Sequence, residues 1–295
     1  MPGHAPDHQK SVRPAVVLAA FGTADAEALS AILHIRDRVA DAFPEREIRL
    51  AFTSGIIRRR WHTRAGDEAF RREHPEVPAE IYVICDPLSV LAALAEAGPR
   101  PVTVQSLHVS DGAEYRDLKA LVNALAGIET LNPARRPFPG LALGEPALGD
   151  GSEEFLRRAA EALRPLIRQA ETAGAALTLM GHGNEHLHQK VYADLETQLQ
   201  KMYAPVTVGL VEGEPGLQHV KDALKRTAPK PSKILLAPLM VVAGEHAKND
   251  LAGSGETSWL STLQQEGYHV LPHLTGLGSL DSWADLYVEH LKKLR

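Results

Sequence analysis

The chain contains one cysteine, Cys85, in 295 residues. That scarcity excludes an intramolecular disulfide framework and any multi-cysteine zinc or iron–sulfur centre, and it fits a reducing compartment. Cys85 itself is expected to be buried packing. Long apolar runs are missing too, since none approaches the ~20 residues a bilayer-spanning helix requires. The opening Met1-Pro-Gly-His-Ala-Pro-Asp-His8 has no apolar signal core. Residues 1–12 are therefore expected to be a disordered arm, and the protein cytoplasmic, or periplasmic if a leader has been removed. Basic charge is not in excess: 32 Lys and Arg face 37 Asp and Glu, a net charge of -5, which disfavours a general nucleic-acid binder.

Two catalytic signatures are also absent. No G-x-x-x-x-G-K-[ST] phosphate loop occurs, and Gly181-His-Gly183-Asn-Glu-His186 only brushes the dinucleotide pattern G-x-G-x-x-G. Gly253-Ser-Gly255 lacks the spacing of a G-x-S-x-G elbow. Nucleotide use and acyl transfer thus have no anchor.

What is present is 44% hydrophobic residues, enough for one large or two medium cores, arranged as alternating strands and helices. Ala15 to Phe21 reads as a strand ending at Gly22-Thr23, with a helix to about Phe43. A strand follows at 47–52, then a helix at 55–72, a helix capped by Asp86-Pro87 and ending near Gly98, a strand at 101–109 and a helix at 114–126. Leu131-Asn-Pro-Ala-Arg-Arg-Pro-Phe-Pro-Gly140 reads as a proline-rich connection, with a boundary near residue 145. Beyond it come helix 152–173, strand 176–180, helix 185–202, strand 206–211, helix 216–226, strands 233–240 and 269–272, and a closing helix from Leu280. The expected fold class is α/β. It has two similar lobes, 13–145 and 146–295, each a parallel sheet flanked by helices, with the active site in the cleft between them.

The halves echo one another. Strand 101–109 runs into Gly112-Ala-Glu114, and strand 233–240 runs into Gly244-Glu-His246, so in both an ionisable residue follows a glycine by two positions. Glu114 and His246 are then expected to be pseudo-equivalent across the cleft.

Open α/β sheets bind ligands at the carboxyl ends of their strands. Three candidates in the second lobe lie there: His182 in Met180-Gly-His-Gly183, Glu212 in Val211-Glu-Gly213, and His246 in Ala243-Gly-Glu-His246. Each alone reads equally well as an ordinary loop residue. One per consecutive strand end makes a ligand set of two imidazoles and a carboxylate, suited to a borderline dication such as cobalt, nickel, iron or zinc, with positions left open for a substrate. His186 and His188 are weaker candidates. Arg58, Arg59 and Arg60, with Trp61, read as a solvated helix face that could greet a polyanion, and Lys248 is a further cation of that kind.

These segments resemble the anaerobic sirohydrochlorin cobaltochelatase family, the ATP-independent class of chelatases. The likeness rests on Leu18-Ala-Ala-Phe-Gly-Thr23, Ala51-Phe-Thr-Ser54, Gln105-Ser-Leu-His-Val109 with Gly112 and Glu114, Met180-Gly-His-Gly183, Val211-Glu-Gly213 and Leu239 to His246. It implies insertion of Co(II), as substrate metal and without a nucleotide, into sirohydrochlorin or precorrin-2 in anaerobic cobalamin biosynthesis. His182, Glu212 and His246 would hold the metal, and Glu114 would be the acidic residue of the first lobe. Insertion must remove two pyrrole protons, for which His182 is the first expected acceptor and Glu114 the second. Arg58, Arg59, Arg60 and Lys248 would meet the tetrapyrrole's carboxylates. No membrane or nucleic-acid partner is implied, and a homo-oligomer is expected. Competing expectations are an iron or nickel chelatase with the same ligands, a non-catalytic tetrapyrrole or metal carrier, and a solute-binding protein, against which the histidine pair and the missing leader argue.

Overall fold

A computed structural model describes residues 13–183, 190–203, 205–228, 232–245 and 247–294. The expected arm at 1–12, His186, His188 and His246 lie outside the described residues.

The first sheet is built from β1 (Ala15–Ala20), β2 (Glu47–Phe52), β3 (Pro101–Ser106) and β4 (Gly140–Gly144), in the order β2-β1-β3-β4, with every pairing parallel. The helices between them are α1 (Leu29–Ala42), α2 (Gly55–Arg64), α3 (Glu68–Glu73), α4 (Pro87–Glu96) and α5 (Ala113–Ala126). After α6 (Glu153–Ala162) and α7 (Arg164–Ala173) the second sheet uses β5 (Ala175–Gly183), β6 (Val206–Glu212), β7 (Lys233–Pro238) and β8 (His269–Pro272), in the order β6-β5-β7-β8. It is parallel throughout and is joined by α8 (Lys190–Met202), α9 (Leu217–Thr227) and α10 (Trp259–Gln265). The chain closes with α11 (Asp281–Lys293).

The strand order is the same in both lobes, so β3 and β7, which precede Glu114 and residue 246, are topological equivalents. Each lobe starts in the sheet interior, steps to one edge and returns to the other side. The reversal falls between β1 and β3 and between β5 and β7, which opens a crevice at the carboxyl ends of those strands. β1 can occupy the interior because all of Ala-Val-Val-Leu-Ala-Ala is apolar and buried on both faces.

One apolar core runs through both lobes, from Val16, Leu18 and Ile35 to Leu179, Trp283 and Tyr287. A separate outer core lies behind each sheet, around Leu91 and Leu118 in the first and around Val220 and Trp259 in the second. The C-terminal helix makes the junction. It packs on α1 and α6, Arg38 donates Nη2 to Asp285 Oδ1 at 2.5 Å, and Tyr287 donates its hydroxyl to the Leu107 carbonyl at 3.3 Å. The last helix, read from sequence as part of the second lobe, thus covers the first.

Several elements differ from expectation. The helix read at 55–72 ends at Arg64, and Asp67 caps a new one, its Oδ1 accepting from the Phe70 amide at 2.9 Å. The helix read at 152–173 restarts at Arg164 with a proline in its first turn. The proline-rich connection delivers an extra strand, β4, and α10 also went unread. Cys85 is exposed and not buried packing, because it lies between the 3-10 turn Ala79–Val83 and α4 with its thiol on the Val83 carbonyl. Trp61, read as part of a solvated face, is fully buried, with Nε1 donating to the Thr23 carbonyl at 2.8 Å and its ring edge-on to Tyr82.

Two imidazoles are held neutral inside this frame. Burial pushes both His108 and His290 down to about 4. His290 Nδ1 donates to the Glu145 carbonyl at 3.1 Å, and the ring stands edge-on to Phe155.

Two outcomes follow from these contacts. Gly183 has φ +84, and a Cβ there would lie 1.9 Å from the Glu212 carbonyl oxygen. Gly183→Ala should therefore lower stability by about 2–5 kcal/mol in denaturant unfolding; an unchanged midpoint would refute the closeness of that approach. Because the folded protein binds fewer protons on His108 and His290 than the unfolded chain does, stability should fall as pH drops from ~6.5 towards ~4. A melting temperature that is flat from pH 7 to 4.5 would contradict their burial.

Candidate metal and substrate site

The second lobe assembles its candidate ligands by strand register. In the β5–β6 ladder Gly181 faces Leu210 and Gly183 faces Glu212, so His182 leaves β5 one residue before the rung on which Glu212 ends β6. Glycine flanks His182 on both sides, and the backbone requires it at 183. A Cβ at 181 would meet Leu210 Cδ2 at 2.8 Å, and residue 183 takes a left-handed conformation against the Glu212 backbone. His182 Nδ1 lies 3.9 Å from Glu212 Oε2, and the side chains are 42% and 45% exposed, so an ion from solvent can reach both. Nδ1 also lies 3.1 Å from the Gly183 carbonyl, which can only accept; Nδ1 therefore carries the hydrogen, and the lone pair of the neutral ring is on Nε2.

Residue 246 lies outside the described residues. Its chain neighbours Glu245 and Ala247 sit beyond the carboxyl end of β7, on the side of β5 opposite to β6. Among the described residues no three His, Cys, Asp or Glu side chains gather in a way that could hold a metal ion. The described part of the expected set is the pair His182 and Glu212.

Glu114 stands in the first turn of α5, just past the carboxyl end of β3, where the helix N-terminus favours a carboxylate. It borders a hollow of about 240 Å³ with Phe21, Ser54, Pro87, Leu118 and Leu121. Phe21, at the end of β1, is 49% exposed and lines that hollow.

Between the lobes stands Tyr192 of α8. Its Cε1 would lie 3.4 Å from a Cβ at Gly181, and its hydroxyl and Ser110 Oγ are 3.0 Å apart, which ties the β3–α5 loop to the end of β5. Burial raises the Tyr192 phenol above its ordinary value. His108 lies in the same loop: its Nδ1 pairs with Ser106 Oγ at 2.8 Å, while Nε2 is buried with no partner among the described residues. Burial, opposed in part by the Glu114 charge, keeps its ring neutral.

The expected cations are placed differently from one another. Arg58 turns inward and donates Nη1 to the carbonyls of Phe52 and Thr53 at 2.5 and 2.9 Å, closing the end of β2. Arg59 is exposed. Arg60 pairs with Glu245 of the other lobe at 2.8 Å, and Lys248 bonds Asp25 of the first lobe and lies 3.8 Å from Glu27. Burial would raise the Asp25 carboxyl, yet the Lys248 ammonium and the Ala28 and Glu27 amides hold it below the usual carboxylate range. The same contact holds Lys248 above its ordinary value. Phe21, Asp25, His108 and Tyr192 were not singled out from sequence. Phe21 and His108 fall inside quoted motifs, whereas nothing in the sequence marks Asp25 or Tyr192.

Comparison with known proteins places this arrangement. The model of the family described as cobalt chelatase (CbiK) matches residues 14–295. Sirohydrochlorin cobaltochelatase CbiKC of Nitratidesulfovibrio vulgaris Hildenborough is 30% identical over 284 residues, covering 96% of this chain and 91% of that protein. Sirohydrochlorin cobaltochelatase of Salmonella typhimurium LT2 is 30% identical over 282 residues, 95% of this chain and 96% of that one. Among solved structures, SirB from Bacillus subtilis with Fe3+ superposes with a TM-score of 0.57 at 11% identity, over 96% of this chain and 95% of that chain. CbiX, described as the terminal enzyme for biosynthesis of siroheme in denitrifying bacteria, gives 0.54 at 19%, over 95% and 98%. At such identities these two speak for the fold alone. With the family model spanning nearly all of the sequence and two relatives at 30% identity along its length, the chain belongs to the cobalt chelatase (CbiK) family.

Proposed function

We propose that this chelatase inserts Co(II) into sirohydrochlorin or precorrin-2, in anaerobic cobalamin biosynthesis and without a nucleotide. The observation that carries the reading is the approach of the His182 imidazole to the Glu212 carboxylate, 3.9 Å apart at the carboxyl ends of the paired strands β5 and β6. The names of the Nitratidesulfovibrio and Salmonella relatives support the choice of metal and macrocycle.

The metal enters as substrate and is received by His182 through Nε2, by Glu212 and by His246, and it passes stepwise to the four ring nitrogens of the tetrapyrrole as the protein ligands let go. A divalent ion replaces two pyrrole protons, so two protons must leave for the charge to balance. His182 accepts one once its nitrogen no longer holds metal, because one lone pair cannot do both at once. Glu114, across the crevice on α5, accepts the other, and Phe21 beside it offers an aromatic face to the ring. Positioned ligands and a shaped crevice replace the ion's water shell, which is the costly part of insertion, so no phosphate chemistry is needed. Among the described residues no helix is long and apolar enough to cross a membrane. We place the enzyme in the cytoplasm as a homo-oligomer.

The test is the visible absorption change of sirohydrochlorin with Co(II), with ATP omitted. Wild-type protein should metallate the ring well above the spontaneous rate, and His182→Ala and His246→Ala should each lose at least ~100-fold. Spectral binding of the ring without insertion of Co(II), Fe(II) or Ni(II) would replace this reading with a carrier. Glu114→Gln should reduce kcat by about 10²–10⁴ while Co(II) affinity, followed by calorimetry, stays as in wild type; an unchanged kcat would remove Glu114 as acceptor.

A further inference from the structure

Two ion pairs cross between the lobes on either side of residue 246. Arg60 of α2 donates Nη1 to Glu245 Oε1 at 2.8 Å. The Lys248 ammonium, in the π-helical turn Ala247–Leu251, bonds Asp25 Oδ2 in the loop between β1 and α1. Between these straps Gly244 comes so near that a Cβ on it would lie 3.3 Å from Thr23 Oγ1. Gly244, Glu245 and Lys248 are thus held against the first lobe, at the carboxyl edge of both sheets.

The two pairs differ in how firmly they hold. Arg60 and Glu245 are 49% and 69% exposed, so that pair is weak in water and salt, whereas Lys248 is 46% exposed on an Asp25 that is only 17% exposed, which makes the second strap the firmer of the two. They are built from the two groups a polycarboxylate would seek, a guanidinium and an ammonium, each already holding a carboxylate. Arg58, by contrast, is spent on backbone carbonyls.

We propose that Glu245 and Asp25 are internal stand-ins for the carboxylates of the tetrapyrrole: substrate displaces them from Arg60 and Lys248, takes both cations, and so unfastens Glu245 and Lys248 from the first lobe. This rests on the proposed tetrapyrrole substrate. The exposure of Arg60, Glu245 and Lys248 leaves both cations open to exchange, and a ring with acidic groups on its periphery can reach both cations together, whereas a single carboxylate can replace only one. The device would favour polycarboxylate macrocycles over apolar ones of the same size.

The prediction has an unusual sign, since removing a carboxylate improves binding. Asp25→Asn keeps the Oδ1 acceptor used by the Glu27 and Ala28 amides, each at 3.0 Å, so entry to α1 survives while the charge is lost. Glu245→Gln is isosteric. Binding of metal-free sirohydrochlorin is read by absorption titration, which needs no turnover. Each variant should bind roughly 2- to 5-fold more tightly than wild type. Arg60→Gln and Lys248→Gln should bind more weakly by at least that factor, and Glu245→Gln should give no gain once Arg60 is Gln. The fully esterified ring should bind all of these alike. Unchanged or weaker binding of sirohydrochlorin by both Asp25→Asn and Glu245→Gln would overturn the proposal, as would an equal gain with the ester. Failure of wild-type protein to insert cobalt would instead count against the proposed function and leave this titration readable.

Discussion

Residue 183 has to be glycine. Its left-handed backbone brings β5 against the Glu212 carbonyl, where no Cβ fits, and that approach sets the last rung of the β5–β6 ladder. From that rung the rest of the site follows. His182 is projected between two glycines, Glu212 ends the neighbouring strand one residue further on, and Tyr192 packs near Gly181 and reaches Ser110 of the other lobe. A side chain at 183 would separate the strands and with them the imidazole and the carboxylate.

The second constraint is the shared core. Because α1, α6 and α11 pack together around Trp283 and Tyr287, the lobes are joined along one side and open at the carboxyl ends of their strands. Among the described residues, the Tyr192 hydroxyl and the two charged straps at Glu245 and Lys248 cross on the open side. A permanent junction opposite an exchangeable one is a suitable frame for a crevice that must admit a large flat molecule.

Much of this was legible in the sequence for physical reasons. The buried strands β1, β5 and β7 are largely apolar runs, His182 and Glu212 sit at the ends of β5 and β6, and Glu114 opens the helix that follows β3. The repeat of Gly112 and Glu114 in Gly244 and His246 corresponds to the matching strand orders of the two sheets. What was not legible depends on contacts distant in sequence. Pro137 and Pro139 announced a loop and hid the strand β4 that starts at Gly140. Trp61 sits in an arginine run whose local pattern says solvent, while its burial comes from Tyr82, Phe70 and the Thr23 carbonyl. The last helix carries no mark that it will cross to the first lobe. Nor does Asp25 announce its partner Lys248, which lies 223 residues away.

The central claim is that neighbouring strand ends of the second lobe present one cobalt-receiving point at the crevice. It is tested most directly by diffraction from crystals of the Co(II)-soaked protein, with data collected at the cobalt absorption edge. The account predicts an anomalous peak within ~2.0–2.2 Å of His182 Nε2 and a Glu212 oxygen, with His246 as the third ligand. A dominant peak elsewhere, on His108 or on the acidic residues of the straps, with none between His182 and Glu212, would contradict it.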